Sequence, residues 1–152
     1  GPLLDSNGKV IGINTVIAAQ SQGIGFSTPS NTVQRVADQL IAKGYVSRPG
    51  LGIGLYIHFT PENAGLLEYM TRRKLPVSGG IFVAKILRGS EADKAGLRPG
   101  DVITGINGEP VGKRDLIREA IADNPIGAEL KLDFYRGPEK KRITVRIGEM
   151  RQ

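Results

Sequence analysis

Gly89-Ser90-Glu91-Ala92-Asp93-Lys94-Ala95-Gly96-Leu97-Arg98-Pro99-Gly100-Asp101-Val102-Ile103-Thr104-Gly105-Ile106-Asn107-Gly108 carries a complete local folding plan. Ser90 brings the oxygen that caps a very short helix. Glu91 and Asp93 put negative charge in its first turn, and Gly96 permits the left-handed stop. Pro99-Gly100 turns the chain. Asp101 to Asn107 then reads as a strand, and Asn107-Gly108 signals a hairpin.

The flanks extend this plan. Upstream, Gly80 to Leu87 is a strand of buried character, and Leu51 to Ile57 is a strand interrupted by glycine. Downstream, a helix is expected from about Lys113 to Asp123, stopping before Pro125. Leu130, Leu132 and Phe134 alternate on one strand; after Gly137-Pro138, Ile143, Val145 and Ile147 alternate on the next. Five or so strands and two helices make a small, mostly antiparallel α+β domain. Residues 61 to 79 form a long inserted stretch that includes a short amphipathic helix with Leu66, Leu67 and Met70 on one face. It is long enough to cover part of whatever surface lies beside it.

The chain before residue 48 has a different pattern. Val10 to Asn14 is a short strand after a turn in which Asn7-Gly8 supplies positive φ angles. Ala18 to Gln22 is a polar loop, and Gly23 to Ser27 is a second strand ending at Pro29. Val33, Val36, Ala37, Leu40 and Ile41 form one apolar helical stripe. Asn31 with Gln34 has the capping-box pattern, and Gly44 ends the helix. Such a stripe needs a partner. Tyr45 to Pro49 reads as a linker.

Composition removes several function classes. The chain has 152 residues, 39% hydrophobic and 24% charged, and no apolar run approaches a bilayer span of about 20 residues. It has no cysteine, which removes thiolate chemistry and cysteine metal sites. The one histidine, His58, reads as a surface residue at a strand end. Alone, it makes a poor metal site, and no cofactor or metal is expected. The net charge of +6 comes largely from Arg72-Arg73-Lys74 and Lys140-Lys141-Arg142. These runs are short and carry no interleaved aromatics, so they read as solvated loops and no nucleic-acid partner is expected.

Arg48-Pro49-Gly50-Leu51-Gly52-Ile53 has the pattern of a ligand loop. Successive main-chain N–H groups in a tight bend hold a carboxylate, and glycine permits the bend. Leu51 and Ile53 supply apolar neighbours. The strand that follows offers an open edge to an extended peptide. A glycine-bearing strand start with no ligand has the same sequence.

Taken together, Arg48 to Ile53, the 89–108 block, Asp115-Leu116 and Asn124-Pro125-Ile126-Gly127 resemble a bacterial PDZ domain. Gly1-Pro2-Leu3-Leu4-Asp5, Val10 to Thr15 and Gly23 to Asn31 resemble the end of the protease domain of HtrA/Deg serine proteases. The resemblance implies residues 1–43 as the last part of a trypsin-like β-barrel, 44–49 as a linker and 50–150 as a PDZ-like, partly open β-barrel or sandwich with two helices. It implies that the N–H groups of Leu51, Gly52 and Ile53 bind a peptide carboxylate, and that Gly54 and Leu55 continue the pairing strand. On the 113–123 helix, either Leu116 and Ala120 or Ile117 and Ile121 face the groove. Arg48 either assists the carboxylate through water or is a plain surface residue. Thr15, Val16, Ile17 and Ala18 align with the protease's substrate edge and specificity loop; as bare sequence they are strand and loop filler.

Further expectations follow from the same resemblance. The motif Gly-Asn/Asp-Ser-Gly-Gly-Pro would place the nucleophile two residues ahead of Gly1, so no catalytic residue is expected in the chain and no peptidase activity. The partners implied are C-terminal ends of misfolded or unfolded proteins, with another copy of the chain packing on residues 1–43. The location implied is the cell envelope or periplasm, with any membrane attachment through an N-terminal anchor. The family usually has an aromatic residue where Gly50 stands, which predicts a looser loop and affinities in the micromolar range or poorer. It also tends to be apolar at Ser27-Thr28. Competing readings are a free-standing interaction scaffold, part of an intact, active serine endopeptidase, and a basic nucleic-acid binder.

Overall fold

Alternation builds the larger of two compact units, which spans Arg48–Met150. The computed structural model describes residues 1–17, 25–111 and 116–151. The smaller unit, Gly1–Ser47 with Arg151–Gln152, contains β1 (Pro2–Leu4), β2 (Val10–Ile17), β3 (Gly25–Pro29) and helix α1 (Ser30–Lys43). Its three strands pair antiparallel in the order β1-β2-β3, and α1 lies against β2 and β3. In the β1–β2 turn only Gly8 has positive φ; Asp5 Oδ1 instead accepts from the N–H groups of Asn7 and Lys9 at 2.9 and 2.8 Å. The turn is therefore closed by an aspartate side chain, which Asn7-Gly8 alone does not reveal. Helix α1 begins two residues earlier than the Asn31 capping pattern suggests: Pro29 is its cap residue and offers no side-chain bond. Gly44 ends it as expected, at φ 77°, with its N–H on Leu40 O.

The larger unit carries β4 (Ser47–Gly50), β5 (Ile53–Phe59), α2 (Ala64–Thr71), β6 (Gly80–Ile86), α3 (Glu91–Lys94), β7 (Val102–Ile106), β8 (Glu109–Pro110), α4 (Leu116–Ala122), β9 (Glu129–Arg136), β10 (Glu139–Arg146) and β11 (Gly148–Arg151). The main sheet runs β10-β9-β7-β6-β5 with β8 added on β7, and β11 pairs with β4. The fold is α+β and mostly strand, and its sheets are open rather than closed into a barrel. Strand β5 is an edge strand. The 44–49 stretch is not simply a linker, because β4 occupies its end.

Side-chain alternation splits the core between the two faces of the sheet. Ile81, Val83, Ile103, Leu132 and Phe134 bury on one face with Leu116 and Ile117 of α4. Phe82 and Val102 bury on the other with Phe59 and with Leu67 of α2. The inserted helix α2 therefore covers the face of the sheet opposite α4. Only Leu67 of its expected apolar face is buried; Leu66 and Met70 are exposed. One turn of an eight-residue helix meets the sheet, and the flanking residues point away.

Asp101 is the one buried charged residue among those described, at 1% exposure. Arg136 donates to both of its oxygens, from Nε at 2.8 Å and Nη2 at 2.7 Å, and the Arg98 N–H donates to Oδ2 at 2.8 Å. The same Nη2 also donates to Gly96 O at 2.8 Å. This bidentate pair ties the turn after α3 to β9 and leaves little of the carboxylate's bonding capacity unmet. Burial of the pair is tolerable for that reason.

Candidate peptide-binding groove

The loop between β4 and β5 owes its shape to Gly52. Its φ is +82°, and a Cβ there would collide with the Cβ and Oγ of Ser90. Glycine is needed twice over, for the left-handed backbone and for the close approach of α3. The carbonyls of this loop point toward the protein. Ala92 N–H donates to Leu51 O at 2.8 Å, Leu87 N–H donates to Gly52 O at 2.9 Å, and Ser90 Oγ donates to Gly52 O at 3.4 Å. Ser90 also caps α3 as the sequence suggests, accepting from Asp93 N–H at 3.3 Å. The N–H groups of Leu51 and Gly52 donate to no carbonyl among the described residues. Fixing the carbonyls inward leaves these amides as the loop's unused polarity, and free amides on successive residues suit an anion.

A cavity of about 230 Å³ opens beside this loop. It is bordered by Leu51, Gly52 and Ile53 of the loop and β5, and by Ile117 and Ile121 of α4. Of the two rows on α4, Ile117 and Ile121 border this cavity, while Leu116 and Ala120 border a separate one with Asn107 and Asp123. Gly54 and Leu55 lie on β5 but outside the lining, and Leu55 is 54% exposed. A register shift between Ile53 and Leu55, and another before Tyr56, brings Tyr56 to the lining instead. A bulge of this kind cannot be read from alternation, because it breaks alternation.

Other lining residues also escaped sequence reasoning. Pro49, Gly50, Leu87, Arg118 and Met150 all border the cavity. Arg118 carried a signal, standing three residues before Ile121 on the same helix. Met150 carried none, since only the long-range pairing of β11 with β4 brings it there. Gly50 belongs to β4 and is covered by Met150, so the loop is better anchored than an isolated glycine suggests. Arg48 is exposed and does not border the cavity. The inserted 61–79 stretch does not cover the groove, since α2 packs on the opposite face of the sheet.

The remaining sequence candidates lie elsewhere. Thr15 and Val16 stand on β2, where Thr15 Oγ1 donates to Phe26 O at 3.3 Å and Val16 is exposed. Ile17 ends β2, and Ala18 lies outside the described residues. His58 stands near the end of its strand, as read, but is not a surface residue. It sits within β5, half-buried, and its Nε2 is enclosed with no hydrogen-bond partner among the described residues. No cluster of three or more metal-ligating side chains occurs among the described residues.

The fold and this groove together define a protein-interaction module. Residues 49–147 match the family model described as PDZ domain. The chain is 38% identical over 152 residues to a putative serine protease, HhoB, of Synechocystis, covering 97% of the chain and 36% of the relative. It is 36% identical over 155 residues to the periplasmic serine endoprotease DegP of Escherichia coli, covering all of the chain and 31% of the relative. Among solved structures, the HtrA-type protease AlgW with a decapeptide superposes with a TM-score of 0.69 at 31% identity, covering 99% of the chain and 45% of that structure. The chain belongs to the PDZ family, in its HtrA/Deg serine-protease branch. It spans about a third of the length of these curated relatives.

Proposed function

We propose that this chain recognises the C-terminal ends of unfolded proteins, as the substrate-recognition module of an HtrA-type serine endopeptidase of the cell envelope. The guest adds as a strand to the free edge of β5, and its terminal carboxylate sits on the N–H groups of Leu51, Gly52 and Ile53. Ile117 and Ile121 form the far wall. The observation that carries this reading is the asymmetry of the 49–52 loop, whose carbonyls are engaged inward and whose Leu51 and Gly52 amides are left over. That the HtrA-type protease AlgW was solved with a decapeptide supports a peptide as the guest, and the periplasmic naming of DegP supports the compartment.

Recognition, not cleavage, is the task assigned to these residues. The remaining domain readings fit the same scheme: residues 1–43 as the end of a protease domain, 44–49 as a short connection and 50–150 as the PDZ domain. The exposed end of the α1 stripe, Leu40 and Ile41, supports self-association through residues 1–43, which sedimentation at several concentrations tests.

The decisive experiment titrates the chain with one apolar-ended peptide, either with a free C-terminus or amidated. The free form binds with a dissociation constant in the micromolar range or weaker, and amidation weakens it at least about tenfold by removing a charge held by several amides. Equal binding of the two forms would remove the reading.

A further inference from the structure

We infer that Met150 is the adjustable wall of the groove and sets how large a terminal side chain it accepts. The inference rests on the peptide reading above and adds a residue that lies beyond the matched span of 49–147. Strand β11 pairs with β4, so the backbone ladder fixes where residue 150 stands. Glycine gives β11 room at two places. A Cβ on Gly148 would lie 2.7 Å from Glu91 Cγ, and a Cβ on Gly50 would lie 2.6 Å from Met150 Cγ. The Met150 side chain therefore fills the room that any side chain at residue 50 would take, at the mouth of the amide loop.

Met150 also differs from the other walls in how it can move. It is half-buried and borders the same cavity as Ile53, Ile117 and Ile121. Those three are β-branched and held on regular elements, so their first torsions are stiff. Leu51 is anchored in the core at 2% exposure. Methionine is unbranched, with three rotatable bonds and a polarizable sulfur, and it adapts to irregular partners. No acidic residue borders the cavity among the described residues, so the chemistry it takes is a free chain end with an apolar last side chain. With Met150 able to swing, aliphatic and aromatic ends fit alike. Fixing or removing that side chain makes the groove selective.

Two peptides that differ only in their last residue, Val or Phe, both with free carboxylates, test this against the full chain and its Met150→Ala and Met150→Ile variants. The parent chain binds the two within about threefold of each other. Met150→Ala opens the wall and shifts the ratio at least about fivefold toward Phe; Met150→Ile stiffens it and shifts the ratio about as far toward Val. Because the readout is a ratio, a uniform loss of binding from poorer folding does not mimic it, and the Ile variant serves if the Ala variant does not fold. An unchanged ratio in the variants, with amidation still weakening binding, overturns the role of Met150 and leaves the groove reading standing. Binding that ignores amidation overturns both.

Discussion

Helices α1 and α4 are both amphipathic, yet the structure treats them in opposite ways. In α4, seven residues bury Leu116 and Ile117. In α1, fourteen residues bury none, and Ile41 is 86% exposed. The smaller unit also exposes Leu3, Leu4, Val10, Ile11 and Phe26. A periodic stripe states that a helix has an apolar face; whether that face is covered depends on the rest of the molecule around it. The larger unit supplies its own cover from both faces of one sheet, whereas the smaller leaves apolar surface of the kind that marks an interaction site.

The largest expected effect tests the loop of the larger unit. Gly52→Ala imposes a left-handed alanine and a clash with Ser90, and costs roughly 3 kcal/mol in urea unfolding together with loss of peptide binding. Adding Ser90→Gly recovers part of the stability, because it removes the clash and leaves the backbone strain. If Gly52→Ala alone unfolds at the parent's midpoint, the geometry of the loop is wrong.

Next in size is the contrast between the helices themselves. Ile117→Ala empties core volume at a cost of about 3 kcal/mol. Ile41→Ala changes stability by less than about 0.5 kcal/mol in a monomer. An Ile41→Ala cost as large as that of Ile117→Ala, rising with protein concentration, would show α1 covered by another copy in solution and would sharpen the comparison into an interface.

A similar contrast separates two ion pairs. Arg136→Ala strands the buried Asp101 carboxylate and costs about 3 kcal/mol. Arg142→Ala breaks a solvent-facing pair with Asp133 and costs less than about 1 kcal/mol. Thermal unfolding of the two variants side by side ranks them, and equal shifts would contradict the burial of Asp101.

The smallest effect is in pH. The hydrogen bond from Arg142 holds the Asp133 carboxyl below its ordinary value. A depressed folded-state value gives stability that is present above the unfolded value, about pH 4, and is lost as pH falls through the folded one. Parent and Arg142→Ala therefore differ by a small, constant amount near neutrality and converge in acid. A difference that grows below about pH 3 would reverse the sign and exclude this pair as its source.

Local chemistry was legible wherever one residue type has one use. Ser90 caps α3, Gly44 stops α1, and Asn107-Gly108 turns the β7–β8 hairpin with both φ angles positive. The alternation of Leu130, Leu132 and Phe134 marked the buried face of β9. The bend at Gly52 was legible too, since its φ of +82° favours glycine. What alternation could not supply was the bulge that brings Tyr56 to the groove, or the closing of the first turn by Asp5. The strand end was read to within a residue of His58, but its burial was missed, because enclosure comes from packing across the sheet.

Residue order was enough to set the α+β class, the succession of elements and the bend at Gly52, because these depend on propensities and φ angles fixed within a few residues. Folding in three dimensions was needed to turn Ile117 and Ile121 toward the groove, to lay α2 over the other side of the sheet, and to stand Met150 against Gly50. Each of those is a pairing between residues far apart in the chain, fixed by which faces close on one another and not by any local preference.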